Sequence, residues 1–322
     1  MTTDVAPLDR SSSFYVAGHR GLAGGAVWRH LEAAGFTNLV GRTSSELDLR
    51  ERDDVFEFFA QVQPRYVVVA AARVGGILAN STMPVEFLSD NVRIQTNVLD
   101  AAHAHGVERL LFLGSSCIYP RLAEQPIKES SLLTGSLEPT NDAYAIAKIA
   151  GVMHVQAMRR EYGHRWISAM PTNLYGPGDN YDQDSSHVLA ALIRRFDEAV
   201  RSGAPTVTNW GSGSPRREFL HVDDLASAVL HIMQTYDDPS PINIGTGTDL
   251  TVRELSDLVA AVSGYTGAVE WDTTKPDGTP RKLLDGSRLA ELGWQPQIGL
   301  EEGLRQSIDW YVAHRPTAGP TG

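Results

Sequence analysis

A tyrosine and a lysine with helical spacing are the first residues in this sequence that can perform chemistry. Tyr144 and Lys148 lie four positions apart in DAYAIAKIAG, within a helix predicted around 142–162, so their side chains share one face. A phenol has a pKa of about 10, and a nearby ammonium is expected to lower it. Ser115 or Ser116, after an apolar run, can hydrogen-bond a carbonyl or an alcohol. This set suits hydride transfer, in which the tyrosine handles the proton on oxygen.

A glycine-rich turn lies near the start of the chain. Residues 18–24 have the spacing G-x-x-G-x-x-G, between an apolar run and a helical pattern. Glycines there let backbone N–H groups approach a pyrophosphate, and a helix N-terminus adds partial positive charge. The turn predicts a dinucleotide site formed by Gly18, His19, Arg20, Gly21, Leu22, Ala23 and Gly24.

The residues after the second predicted strand bear on the type of dinucleotide. NAD-selective sites usually place an acid there, which binds the ribose 2′-hydroxyl. Residues 40–45 read VGRTSS, and the first acid is Glu46. Arg20 and Arg42 can pair with a 2′-phosphate, so we expect NADP(H) as the cofactor. The alternative is that both arginines are merely solvated.

Alternating strand and helix patterns place these groups in the fold. Apolar runs at 14–18, 38–41, 66–72, 109–115 and 166–170 alternate with helical patterns. This alternation predicts an α/β fold with a Rossmann-type doubly wound parallel sheet. The glycine turn and the two serines then lie at the carboxyl edge of the sheet, where such folds bind ligands.

The alternation loosens in the second half of the chain, where Gly, Pro, Asp and Ser are concentrated. We predict a dinucleotide-binding domain over 14–174 and a smaller α/β substrate-binding lobe, mainly over 175–312. A strand near 241–247 is expected to return to the first sheet. Composition predicts a disordered start, 1–13, and a flexible tail, 313–322.

Composition and charge exclude several classes of protein. The 322 residues are 42% hydrophobic and carry a net charge of −11, which fits a globular chain and argues against a nucleic-acid partner. The single cysteine, Cys117, excludes an intrachain disulfide and a cysteine-rich zinc site, and we expect no metal. The start is not a secretory signal, and no apolar run spans a bilayer. We therefore expect a soluble, cytoplasmic protein with no membrane partner.

Segments along nearly the whole chain resemble the extended short-chain dehydrogenases/reductases. More narrowly, they resemble the GDP-L-fucose synthase family, which epimerises and reduces GDP-4-dehydro-6-deoxy-D-mannose. The resemblance implies an NADPH-dependent 3,5-epimerisation and 4-keto reduction, a GDP-sugar substrate and a homodimer. The matching segments are AGHRGLAG, AARVGGILAN, LLFLGSSCIYP, LEPTNDAYAIAKIAG, MPTNLYGPGDN, WGSGSPRREFLHVDDLA, NIGTG and KPDGTPRKLLD.

The resemblance also implies roles for individual residues. Ser115, Tyr144 and Lys148 would form the reductase set. One departure is Ser44, at a position where the family often has a second arginine. Beyond the glycine turn and Arg42, the implied cofactor contacts are Asp48, Leu49, Gly114, Ser115, Ser116, Lys148, Pro171, Thr172, Asn173, Leu174 and His187.

A thiol and an imidazole can supply the proton transfers of an epimerase. Inverting a sugar beside its ketone moves protons at two carbons, which hydride chemistry alone does not do. Free thiol and imidazole groups have pKa values of about 8.5 and 6.5, which bracket neutral pH. Cys117 lies two residues after Ser115, and His187 lies in the loop DQDSSHVL. The resemblance implies Cys117 as the base and His187 as the acid; taken alone, each is more often a packing or surface residue.

Cations and an aromatic side chain in the second half suit a nucleotide diphosphate. Guanidinium groups bind phosphate oxygens in a planar fork, and arginine pairs occur at 194–195 and 216–217. The resemblance points to Arg195, Trp210, Arg217 and Asp277 as the GDP-sugar contacts. Solvated arginines and a tryptophan at the edge of a turn are the alternative.

Two rival functions are compatible with these motifs. Another nucleotide-sugar epimerase or reductase of the same fold has no obvious need for the pair Cys117 and His187. A non-catalytic NADP-binding sensor would be free to lose Tyr144.

Overall fold

The computed structural model describes residues 5–183, 185–275 and 277–315, with only the backbone of Ile77. The strands are β1 (Phe14–Ala17), β2 (Leu39–Val40), β3 (Tyr66–Val69), β4 (Arg109–Leu113), β5 (Ile167–Pro171), β6 (Asn173–Tyr175), β7 (Thr206–Trp210), β8 (Arg216–Arg217), β9 (Phe219–His221), β10 (Ile242–Ile244), β11 (Leu250–Thr251), β12 (Ala268–Asp272) and β13 (Arg281–Lys282).

The helices follow the strands in alternation over the first half of the chain. They are α1 (Leu22–Ala33), α2 (Arg52–Val62), α3 (Ile77–Thr82), α4 (Pro84–Ala104), α5 (Asp142–Tyr162), α6 (Val188–Ser202), α7 (Val222–Thr235), α8 (Val252–Val262), α9 (Ser287–Glu291) and α10 (Leu300–His314). Short 3₁₀ turns cover Ser116–Ile118 and Glu129–Ser131. Within the described ranges, no helix is both long and apolar enough to cross a membrane.

A six-stranded parallel sheet in the order β10-β5-β4-β3-β1-β2 confirms the predicted α/β fold. The strand expected near 241–247 is β10, and its Ile242 aligns with Ala169 of β5. Chain order reverses between β1 and β3, where Val16 aligns with Val68. Parallel sheets of this kind bind ligands beside that reversal, at the carboxyl ends of their strands.

Both faces of the sheet are covered, which explains why its strands are continuously apolar. On one face, Phe14 and Val16 of β1 pack with α1, α7 and α9. On the other face, Tyr15 and Ala17 pack with α2, α4 and α5. Fully burying one such valine or phenylalanine side chain contributes about 1.5–3 kcal/mol.

The second half of the chain builds a separate core and three small sheets. Helices α6, α8 and α10 pack around a buried cluster that includes Tyr175, Phe196 and Phe219. Strand β8 lies between β11 and β13, and β7 pairs with β12. The pairing of β8 with β13 aligns Arg216 with Arg281 and Arg217 with Lys282.

The start of the chain differs from its prediction where it is described. Leu8 is buried in the first core, and the Thr37 amide donates to the Arg10 carbonyl at 3.0 Å. The Asp9 amide donates to the Tyr66 hydroxyl, also at 3.0 Å. Disorder is therefore wrong for residues 8–12, because one apolar anchor and two backbone hydrogen bonds hold them. The tail predicted over 313–322 begins inside α10, which ends at His314. The rest of that tail after residue 315, and residues 1–4 of the predicted disordered start, lie outside the described residues.

Candidate active site

The glycine turn connects β1 to α1 without side chains in the way of a ligand. Gly18 has φ +84°, and a Cβ there would lie 2.8 Å from the Ala71 nitrogen. A Cβ on Gly24 would overlap the carbonyl oxygen of Gly18. Helix α1 begins after Gly21, and no described side chain caps its first turn. The N–H groups of that turn are thus available for an anion, as pyrophosphate binding requires.

Two exposed arginines, Arg20 and Arg42, lie close to His19 of this turn. Arg20 and Arg42 both act electrostatically on His19, whose pKa is lowered by burial first and by these charges next. The Glu46 carboxylate accepts from the Thr43 amide at 2.7 Å and from its hydroxyl at 2.8 Å, which lowers the pKa of Glu46. The Glu46 carboxylate is therefore hydrogen-bonded within its own turn. Arg20 and Arg42 give this edge of the site a positive charge.

Most of the other predicted cofactor residues follow β2 and β4 or lie at the end of β5 and in β6. Asp48 is paired with Arg50, whose Nη2 lies 2.6 Å from its carboxylate. The Leu49 carbonyl accepts from the Asn97 side chain at 3.0 Å. Tight packing surrounds Gly114, because a Cβ there would overlap Met170. The remaining predicted residues of this group are Ser115, Ser116, Pro171, Thr172, Asn173 and Leu174.

The structure brings the predicted serine, tyrosine and lysine together. The Ser115 side chain hydrogen-bonds Tyr144 on α5, and Lys148 lies one turn further along the same helix. The Lys148 Nζ donates to the Leu113 carbonyl at 2.8 Å, and burial lowers its pKa to about 8. Its Nζ lies 5.9 Å from the centroid of the Tyr144 ring.

The predicted lowering of the tyrosine pKa is wrong. Burial raises the pKa of Tyr144, and the nearby Cys117 thiol raises it further, while the hydrogen bond from Ser115 opposes both. The Lys148 ammonium is directed to a carbonyl of β4 and does not offset the burial. Tyr144 is therefore a protonated phenol at neutral pH.

Cys117 lies within reach of the same tyrosine, among groups that donate to its sulfur. The Asn141 Nδ2 lies 3.2 Å from the Cys117 Sγ, and the Lys282 Nζ lies 3.6 Å from it. Burial alone raises the pKa of this thiol. The charge of Lys282, with hydrogen bonds involving Ser115, Lys282 and Asn141, outweighs burial and leaves the pKa below its ordinary value. We call Cys117, together with Ser115, Asn141 and Lys282 around its sulfur, the thiol site.

His187 is the residue just before α6, at the N-terminal end of that helix. Its side chain is exposed to solvent at the edge of the site, although protein surrounds much of it. Burial lowers the pKa of its imidazole, and the charge of Lys282 lowers it further. Lys282 therefore acts on both predicted proton-transfer residues.

The predicted GDP-sugar residues divide into two groups. Arg217 on β8 faces the thiol site, where burial lowers its pKa while Cys117, Glu138 and Asp277 raise it. Its neighbour Arg216 instead pairs with Asp249 at 2.9 Å. The two neighbouring arginines therefore have different surroundings, and Arg217, to which the resemblance pointed, is the one near Cys117.

The second group surrounds the end of β7. Trp210 is 62% exposed, and the Lys275 Nζ lies 5.4 Å above its ring. Arg195 on α6 donates to the Asn209 side chain at 2.5 Å, next to that tryptophan. Asp277 accepts from the Ser212 amide at 2.7 Å, just beyond β7.

Known proteins share this fold and these motifs. Residues 14–245 match the model of the NAD dependent epimerase/dehydratase family. The chain belongs to this family. It is 58% identical to "GDP-L-fucose synthase 1" of Arabidopsis thaliana, over 94% of each chain. It is 52% identical to "GDP-L-fucose synthase" of Escherichia coli (strain K12), over 94% of this chain and 97% of that one.

A solved structure of the same family agrees over almost the whole length. It is the GDP-L-fucose synthetase from Naegleria fowleri bound to NADP, with a TM-score of 0.89 and 28% sequence identity. The match covers 97% of this chain and 96% of that chain. The agreement therefore includes both the parallel sheet and the smaller lobe.

Lys282 is one of two residues around the site that sequence reasoning missed. It lies in KPDGTPRKLLD, a segment that carries the family resemblance, but 165 positions from Cys117. Glu138 was also missed; it pairs with Arg121 at 3.2 Å and accepts from Thr279 at 2.9 Å. Membership of a family-specific segment was the only available signal for both residues.

Proposed function

We propose that this protein converts GDP-4-dehydro-6-deoxy-D-mannose to GDP-L-fucose, by 3,5-epimerisation followed by NADPH-dependent reduction of the 4-ketone. One observation carries the proposal: the Cys117 sulfur, with a lysine 3.6 Å away, shares its surroundings with Tyr144 of the reductase set. A reductase needs the tyrosine, and an epimerase needs a base beside it. Their proximity allows one bound sugar to undergo both reactions.

The residues of the glycine turn fit NADP(H). Gly18 and Gly24 leave no room for side chains, and the first turn of α1 lacks a side-chain cap among the described residues. Arg20 and Arg42 suit a 2′-phosphate, which only the phosphorylated dinucleotide carries. When bound, NADPH supplies the hydride of the reduction.

Epimerisation would begin with the Cys117 thiolate. A carbon next to a ketone is acidic, because the carbonyl stabilises the enolate that proton removal leaves. The thiolate removes the proton from one face, and His187 returns a proton to the opposite face. The lowered pKa of His187 makes its protonated form a stronger acid, although a less populated one at neutral pH.

Reduction would depend on Tyr144 as the acid. Its raised pKa keeps the phenol protonated at neutral pH, so it can donate a proton to the oxygen that becomes the alcohol. Ser115 hydrogen-bonds the same phenol and is placed to contact the substrate oxygen. Lys148 holds the end of β4 through the Leu113 carbonyl.

The nucleotide end of the substrate would lie in the smaller lobe. Arg217 faces the thiol site, so it suits a phosphate close to the sugar. Exposed Trp210 offers a face for stacking, with Arg195 and Asp277 in the neighbouring loops. These four residues support binding of a GDP-sugar.

A homodimer and a reducing compartment complete the proposal. Exposed apolar side chains lie on the adjacent helices α4 and α5, among them Val85, Leu88, Ile146 and Met153. A second copy of the chain can cover them, because large exposed apolar patches mark association surfaces. The cytoplasm fits the chemistry, since Cys117 must stay reduced to act as a base.

The proposal is tested by supplying GDP-4-dehydro-6-deoxy-D-mannose with NADPH and identifying the product sugar by NMR. GDP-L-fucose is the expected product. Reduction without inversion would assign the protein to the 4-reductases, and tight NADPH binding without turnover would assign it to the sensors. Either result would contradict the proposed activity.

A further inference from the structure

Lys282 places a cation in contact with the proposed epimerisation base. It ends β13, which pairs in parallel with β8 so that Lys282 aligns with Arg217. Its Nζ reaches to 3.6 Å from the Cys117 Sγ. We propose that Lys282 is a positioning residue for epimerisation that acts through Cys117, holding its sulfur as a thiolate. This inference rests on the proposed role of Cys117.

The chain after β13 fixes where Lys282 points. Leu283 and Leu284 are buried, and the Leu284 amide donates to the Glu218 carboxylate at 3.0 Å. Glu218 also accepts from the Gly247 amide at 2.8 Å, so one buried carboxylate ties these segments together. The side chain before Lys282, Arg281, pairs with Asp249 instead. Alternation along the strand therefore sends one cation away and the other toward the thiol.

The other groups around the sulfur do not replace this cation. Tyr144 on α5 is kept neutral by its raised pKa, and Asn141 donates an uncharged hydrogen bond. Arg217 on β8 faces Cys117, but its Nη1 donates to the Arg216 carbonyl at 2.8 Å. Among the described residues, Lys282 is the cation whose ammonium hydrogen-bonds the sulfur.

The same lysine has the opposite effect on the proposed acid. Positive charge favours the ionised thiol of Cys117 but disfavours the protonated imidazole of His187. Lys282 therefore shifts the resting pair toward a thiolate with a lysine counter-ion and a neutral histidine. The same charge disfavours a thiolate–imidazolium pair, in which His187 would supply the counter-charge.

Alkylation of the thiol tests this directly, because Cys117 is the only cysteine in the chain. The thiolate displaces iodide from iodoacetamide, so the rate against pH reports the thiol pKa without any substrate. An opposite charge at this distance lowers a pKa by about one to three units. Lys282→Met should raise the midpoint by that amount and slow alkylation at neutral pH at least about tenfold. Lys282→Gln gives a second neutral side chain should the methionine variant fail to fold.

Two matched variants keep a charge effect apart from a structural one. Lys282→Arg retains the charge and should keep the midpoint near that of the wild type. Lys128→Met removes the same charge from an exposed position and should leave the midpoint unchanged. A midpoint that stays at the wild-type value in both Lys282→Met and Lys282→Gln would overturn the proposal.

The test of Lys282 can fail or succeed independently of the test of the proposed enzymatic activity. If the wild type makes no epimerised product, the proposed function fails while the alkylation midpoints still report on Lys282. If the wild type epimerises, solvent deuterium uptake by Lys282→Met should be lost at neutral pH and recover as rising pH ionises the thiol. Uptake that stays lost at high pH would mean that Lys282 acts other than through the thiol.

Discussion

The protonation of Tyr144 explains how one phenol can serve a reductase. Burial raises its pKa, and Ser115 remains its hydrogen-bond partner. A protonated phenol is the form needed when a ketone becomes an alcohol, because the new hydroxyl requires a proton. The reverse reaction, oxidation of an alcohol, would instead need the phenolate.

Tyr144→Phe should therefore abolish reduction while leaving the fold intact. The phenyl ring fills the same space, but the proton donor is gone. General acid–base groups contribute about 10²–10⁴-fold, so NADPH oxidation with the keto sugar should fall by at least the lower figure. NADPH binding, followed by its fluorescence, is the control and should be nearly unchanged. Near-normal oxidation in this variant would remove Tyr144 from the mechanism.

Sequence reasoning found most residues of the site but not their ionisation. Ser115, Tyr144 and Cys117 were predicted because short-range spacing and strand ends place them. The direction of the tyrosine pKa was wrong, since burial depends on packing that no local pattern reveals. Lys282 was missed because the contact with Cys117 spans 165 positions.

At the scale of elements, the turn between β1 and α1 depends on a close approach of two backbone segments. A Cβ on Gly24 would overlap the Gly18 carbonyl, whereas a Cβ on Gly25 would lie 3.4 Å from the His19 carbonyl. Gly24 therefore has no room for a methyl group, whereas the adjacent Gly25 has room for one.

Gly24→Ala should destabilise the fold by about 1–3 kcal/mol, the usual cost of overpacking, and weaken NADPH binding as the turn shifts. Gly25→Ala is the matched control. Alanine favours a helix by roughly 0.5–1 kcal/mol over glycine, so stability should hold or rise. Urea unfolding and NADPH titration measure both effects. Equal behaviour of the two variants would contradict the close approach.

Long elements were predictable, and very short ones were not. The helix expected around 142–162 is α5, and the central strands follow the predicted apolar runs. Strands β8 and β13 have two residues each, too few to show a periodic pattern. These two strands carry Arg217 and Lys282. Arg217 was predicted through the family resemblance, whereas no local pattern indicated the contact of Lys282 with Cys117.

At the scale of the whole molecule, the apolar face of α4 and α5 predicts self-association. Ile146→Asp places a charge on that face and should shift the protein from dimer to monomer in sedimentation velocity. Val312→Asp on α10 is the matched control, since Val312 is 43% exposed and Ile146 47%. The control should remain dimeric. A dimer that persists in Ile146→Asp would place the association surface elsewhere. A monomeric wild type would exclude self-association.

Epimerisation and reduction at one site is the central claim, and solvent deuterium uptake tests it most directly. The wild type, run in D₂O with NADPH, should give GDP-L-fucose deuterated at the two carbons that flanked the ketone. Cys117→Ser keeps the shape but has a far higher pKa, so it should still bind NADPH while taking up no deuterium at those carbons. Any product should then be an unepimerised 6-deoxy sugar. If uptake and GDP-L-fucose formation continue near the wild-type rate, Cys117 is a packing residue and is not the base.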